Sequence, residues 1–165
     1  MATRRSRGRA FDRVGLRMIR SVDLRIHNDM SEIGVVRDAL DDLARQHAIP
    51  RRALTQLQVA LDEIVSNVVK YSWEDGGRHE FLVRITVRSG GVDLEIIDDG
   101  RQFDPLTIAA PATVAAGRRP RPGGLGIHMA RKLVDQVTYV RVDGRNHTTL
   151  SKACEVDVAT QGSGK

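Results

Sequence analysis

The 165-residue chain is poor in cysteine, in aromatic residues and in long apolar runs. Each shortage removes a class of function. One cysteine, Cys154, cannot form an internal disulfide, so a reducing, cytoplasmic setting is expected. No apolar run approaches the roughly 18 to 20 residues that span a bilayer, so no membrane role is expected. The opening segment MATRRSRGRAFDRVG is basic but has no apolar stretch behind it, and it does not read as a secretory signal. Six aromatic side chains are too few for a base-stacking platform. Acidic residues are missing from the stretch in which Arg4, Arg5, Arg7 and Arg9 carry four of the five surplus positive charges. The rest of the chain is close to neutral, so direct nucleic-acid binding is not expected either.

What is present suits a single globular domain. Hydrophobic residues make up 41% and charged residues 28%, enough for a real core in a chain of this length. Residues 1–12 read as a disordered basic tail, 13–157 as the domain and 158–165 as a flexible end. Partial alternation in LRMIRSVDLRIHND predicts a strand or two. In SEIGVVRDALDDLARQHAIP, Ile33, Val36, Leu40 and Leu43 fall at helical spacing, with Ser31 as the expected N-cap. PRRALTQLQVALDEIVSNVVKYSW predicts a second helix, with Pro50 near its first turn. Phe81, Val83, Ile85 and Val87 alternate as in a half-buried strand, SGG turns the chain, and VDLEIID returns as a hairpin partner. Residues 101–122 lose all periodicity, which marks a functional or disordered segment. GGLGIHMARKLVD then predicts a third helix, and QVTYVRVDG and HTTLSKACEV two more strands. The fold class is α+β: a two-layer sandwich of a mixed, mostly antiparallel sheet with helices on one face.

Three segments could carry chemistry. On the second helix, Leu57, Leu61, Ile64, Val65 and Val68 form one apolar stripe, and Glu63 and Asn67 stack four residues apart on the opposite side. By spacing alone that side is a solvated face. Val59 and Ala60 lie on it too, and asparagine is a poor helix-interior residue. A carboxylate and an amide carbonyl one turn apart could instead serve magnesium, which prefers oxygen ligands. The second segment, LEIIDDGRQFDPL, ends an apolar strand on Asp98 and Asp99 with Gly100 behind them. It is either an ordinary Asp-Gly turn or the floor of a pocket with Asp98 as the recognition residue and Asp99 as the turn residue. In the third, Gly123, Gly124 and Gly126 sit at a helix start, where backbone can approach an anion closely. It is neither a Walker A loop nor a Rossmann fingerprint.

Taken together and in order, Glu-x-x-x-Asn, Asp-x-Gly-x-x-Phe-Asp-Pro and Gly-Gly-Leu-Gly-Ile resemble the N, G1 and G2 boxes of the GHKL (Bergerat-fold) ATPases. Within that superfamily the chain looks most like the small anti-sigma-factor serine kinases of the RsbW and SpoIIAB type, over about residues 20–155. GRNHTTLSK resembles their closing strand. Tyr71 stands where many of them carry histidine, and Thr148 where an apolar residue is usual.

The resemblance implies a role for each matching position. Asn67 would ligate magnesium bridging the phosphates of ATP. Glu63 would be the general base that takes the proton of an attacking serine hydroxyl. Asp98 would accept from the adenine amino group, Gly100 would leave room for the ring, and Thr149 would support the adenine site. Gly124 and Gly126 would present backbone N–H groups to the phosphates beneath an ATP lid, about residues 101–122, whose Arg118, Arg119 and Arg121 could meet the γ-phosphate. The implied function is an ATP-dependent anti-sigma factor and serine protein kinase. It would bind a sigma factor, phosphorylate a STAS-domain antagonist, and form a homodimer. The alternative is a nucleotide-gated partner-switching module without catalysis.

Overall fold

The computed structural model describes residues 5–7, 18–107 and 124–157. Most of the segment expected to form a lid, Arg118, Arg119 and Arg121 included, therefore lies outside the described residues, as does Gly123. So do most of the basic tail and residues 158–165.

Strand alternation builds a six-stranded sheet. Its strands are β1 (Arg5–Arg7), β2 (Met18–His27), β3 (Glu80–Arg88), β4 (Gly91–Asp98), β5 (Gln136–Val142) and β6 (Arg145–Ala153). They lie in the order β1-β2-β3-β4-β6-β5, and every pairing is antiparallel. The parallel component allowed for in a mixed sheet is thus not found among the described strands. Arg5–Arg7, expected within a disordered tail, forms the short edge strand β1 against Ser21–Asp23. On one face Val22, Leu24, Ile26, Val83, Ile85, Leu94, Ile96 and Leu150 are buried. The other face carries charge: Arg84 bonds Asp23 at 2.7 Å and Glu95 at 3.1 Å.

Three helices cover the apolar face: α1 (Ile33–Gln46), α2 (Arg51–Tyr71) and α3 (Gly124–Leu133). The cap expected at Ser31 is supplied instead by Asp29. Its carboxylate accepts from Ser31 N at 2.8 Å and starts a single 3-10 turn, Met30–Glu32, that leads into α1. Asp29 stands before the turn, where its carboxylate folds forward onto the free N–H of Ser31, whereas Ser31 itself lies inside the turn. Leu40 and Leu43 of α1 and Leu57, Leu61 and Val65 of α2 are fully buried in one core with the sheet. Arg37 of α1 holds Asp62 of α2, with Nε to Oδ1 at 2.7 Å. The third helix packs along α2 and adds Ile127 and Ala130 to the core, and Val134 just after it adds a third side chain.

Packing is tight where β4 begins. A Cβ added at Gly91 would stand 2.3 Å from the carbonyl oxygen of Lys152 on β6, a backbone atom that cannot turn aside. Gly91→Ala is therefore expected to lower unfolding stability by about 1–3 kcal/mol, the usual cost of overpacking. Urea unfolding measures it, and an unchanged midpoint would contradict this close approach.

Candidate functional site

Asp98 is the last residue of β4 and keeps the inward parity of Val92, Leu94 and Ile96. The strand thus delivers a carboxylate to the end of the apolar face, where it is only 4% exposed. Three donors meet it. Its Oδ1 accepts from Gly100 N at 3.0 Å and from Asn146 Nδ2 at 2.9 Å, and the Ser72 hydroxyl at the end of α2 donates a third bond. Burial still pushes the carboxyl above the usual aspartate range; the bonds from Asn146, Gly100 and Ser72 pull against it. Asp98 opens onto a narrow pocket lined also by Asn67, Tyr71, Phe103, Asn146 and Thr148.

One wall of that pocket is α2. Asn67 is buried, not solvated. Glu63 is half-buried. One flank of α2 meets the sheet and another meets α3, a neighbour that spacing alone could not reveal. Asn67 Nδ2 donates to the backbone carbonyl of Glu63. That commits the amide nitrogen and leaves the carbonyl oxygen, the atom that suits a magnesium ion. Gly126, in the first turn of α3, lies against Glu63: a Cβ there would stand 1.8 Å from Glu63 Oε2, so any larger side chain would have to displace the glutamate carboxylate. The glutamate therefore rests on the opening turn of α3, whose first residue is Gly124. Among the described residues no three or more His, Cys, Asp or Glu side chains stand together as a metal cage. A metal beside Asn67 would draw most of its ligands from phosphate and water, the usual habit of magnesium.

The structure gathers Glu63, Asn67, Asp98, Gly100, Gly124 and Gly126 around one corner of the sandwich. It excludes Thr149. In the antiparallel register Thr148 stands opposite Ile96 and Asn146 opposite Asp98, whereas Thr149 stands opposite Glu95 on the charged face. The pocket threonine is Thr148. A one-residue step along a strand moves a side chain to the other side of the sheet. Gly100 keeps its importance for a different reason. A Cβ on it would meet Ser72 Cβ at 2.4 Å and Ser72 O at 2.5 Å. Its missing side chain admits the end of α2, with Arg101 N bonding Ser72 O at 2.9 Å. Asp99 is more than a turn residue, since it accepts from Trp73 Nε1 at 3.1 Å.

Residues 26–152 match the family model described as "Histidine kinase-like ATPase domain". The chain belongs to that family. It is similar to the serine/threonine-protein kinase BtrW of Bordetella bronchiseptica, 29% identical over 114 residues that cover 68% of this chain and 79% of the relative. It is similar also to the serine-protein kinase RsbW of Bacillus subtilis, 20% identical, with 80% and 82% of the two chains covered. Among solved structures, the RsbU and RsbW domains of a Mycobacterium tuberculosis protein superpose with a TM-score of 0.54 at 17% identity. That match covers 80% of this chain and 32% of the longer one, and shows the shared fold.

For this histidine kinase-like ATPase domain, the buried Asp98 has a measurable signature. A carboxyl raised above its unfolded value contributes stability while protonated and loses it as pH rises through the folded pKa. Asp98→Asn keeps an acceptor for Gly100 and Asn146 but carries no charge. The variant is expected to melt higher than wild type at neutral pH, with the gap closing as pH falls below the raised aspartate value. Calorimetric scans across pH test it; a variant less stable than wild type at neutral pH would contradict the cost assigned to burial.

Proposed function

We propose that the protein is an ATP-dependent serine kinase and partner switch. It binds ATP with magnesium, holds a sigma factor inactive, and phosphorylates a serine on a STAS-domain antagonist. The reading takes it as a cytoplasmic homodimer. One observation carries it above all: the Asn67 amide and the buried Asp98 carboxylate line one pocket, and Glu63, one turn before Asn67 on α2, rests against Gly126 in the first turn of α3. The named kinases among the relatives support it.

Each residue then has a task. Asp98 accepts from the exocyclic amino group of adenine, which guanine lacks at that position. A mismatched base would leave a buried carboxylate unpaired, and that penalty gives selectivity. Thr148, not Thr149, supports the base from β6. The Asn67 carbonyl oxygen would hold magnesium, which when bound offsets phosphate charge. The free N–H groups at the start of α3, at Gly124 and Gly126, face phosphate oxygens. Glu63 takes the proton of the attacking serine hydroxyl. The serine oxygen bonds to the γ-phosphorus as the bond to the β-bridging oxygen breaks, and ADP leaves.

Two substitutions separate catalysis from binding. Glu63→Gln is expected to bind ATP like wild type and to lose phosphoserine formation on the antagonist by about 100-fold or more, the usual scale for a general base. Asn67→Ala is expected to lose magnesium-dependent ATP binding while melting near wild type. Calorimetric titration and a phosphotransfer assay read both. If wild type binds ATP but never phosphorylates an antagonist it binds, the non-catalytic partner switch replaces this reading. Normal affinity in Asn67→Ala removes α2 from the site.

A further inference from the structure

Asn146 was not among the residues the motifs pointed to, yet it is the most fully bonded polar side chain in the corner. It is 2% exposed. Its Nδ2 donates to Asp98 Oδ1 at 2.9 Å and to the backbone carbonyl of Arg101 at 2.9 Å. Its Oδ1 accepts from Tyr139 Oη at 2.8 Å and from Arg141 Nη1 at 2.7 Å. Both donors stand on β5, the neighbouring strand, with Arg141 opposite Asn146 in the register. Arg141 Nη1 also reaches the carbonyl of Gly100 at 3.2 Å.

This arrangement leaves the amide one orientation. An arginine can only donate, so the oxygen of Asn146 must face Arg141 and its NH2 must face Asp98. Reversal would set two donors against each other and leave the Asp98 carboxylate facing the amide oxygen. A second consequence concerns the carboxylate. With bonds from both Asn146 and Gly100, Asp98 Oδ1 has no lone-pair direction to spare, so the capacity the carboxylate keeps beside the bond from Ser72 lies on Oδ2. We propose that Asn146, locked by Tyr139 and Arg141, is the positioning residue for base recognition: it saturates one oxygen of Asp98 and turns the other toward the amino group of adenine. This deepens the ATP reading and rests on it. The same clamp ties base recognition to the root of the lid, because Asn146 and Arg141 hold the carbonyls of Arg101 and Gly100 where that segment begins.

Inosine triphosphate is the informative competitor, since it replaces the adenine 6-amino donor with a carbonyl oxygen. The full chain and Asn146→Ala are titrated with ATP and with inosine triphosphate, magnesium present, by calorimetry over a range of pH. Wild type is expected to prefer ATP. Asn146→Ala is expected to lose about tenfold of that preference, the scale of one hydrogen bond to a charged group. Its acid limit of ATP binding should move to higher pH, because the bond from Asn146 opposes protonation of Asp98. A residue that only held the fold together would lower affinity for both nucleotides and leave that limit unmoved. If Asn146→Ala does not fold, the Tyr139→Phe, Arg141→Met double variant frees the amide to turn and should show the same loss of preference in smaller measure. Wild type that ignores ATP would sink the nucleotide reading itself. Wild type that prefers ATP, with the preference and the acid limit intact in the folded variant, would overturn the role of Asn146 alone.

Discussion

A carboxylate buried at the end of an apolar strand is the constraint around which this corner is organised. Asp98 loses water on entering the fold, and nothing apolar could repay that loss. The surroundings answer with donors from three directions: the backbone after β4, the hydroxyl ending α2, and the amide of β6. Bringing those donors within reach fixes how closely α2, β4 and β6 approach one another. The glycine at position 100 follows from that, because any side chain there would collide with Ser72. Burial nevertheless wins in part, since the carboxyl stays above its ordinary value. A protein that kept such a group for stability alone would do better with an asparagine. Retaining the charge makes sense where a ligand supplies a further donor.

The second helix makes that corner a site. One side of it is the apolar stripe against the sheet, and Glu63 rests against the first turn of α3. The Asn67 amide nitrogen is tied to the carbonyl one turn earlier, and Asn67 lines the pocket with Asp98. In the proposed function, these positions set both groups for chemistry on a phosphate over the start of α3. The charged reverse face of the sheet, with Arg84 between Asp23 and Glu95, takes no part in this pocket.

Much of this was legible in the sequence because it rests on short-range patterns. Alternation located the strands, the 3.6-residue stripe located α2, and the spacing of the three motif segments located Glu63, Asn67, Asp98 and the glycines. The failures share a cause. The expectation for Thr149 fails, and Asn146 escapes the motifs, because the parity of the last strand, counted back from Leu150, decides which side chains face the pocket. Counted that way, Leu150, Thr148 and Asn146 share the face of Asp98. Other features depend on tertiary neighbours that no local pattern shows. Asn67 is buried in a pocket it shares with Asp98, Phe103 and Thr148, and Asp29 displaces Ser31 as a cap through a turn that precedes the periodic residues. Trp73 stacks on His79 with centroids 4.7 Å apart while donating to Asp99, which joins loops distant in sequence.

The central claim is that the Asp98 carboxylate is held ready for a donor from adenine. Carbon-13 NMR of the aspartate carboxyls, titrated with pH in the free protein and in the presence of saturating ATP and magnesium, observes it directly. The account predicts one carboxyl, assigned to Asp98 by its loss in Asp98→Asn, that titrates above the usual aspartate range when free and at lower pH once nucleotide is bound, because the new donor stabilises the ionised form. A free-protein value in the ordinary range, or a titration that ATP leaves unchanged, would contradict it.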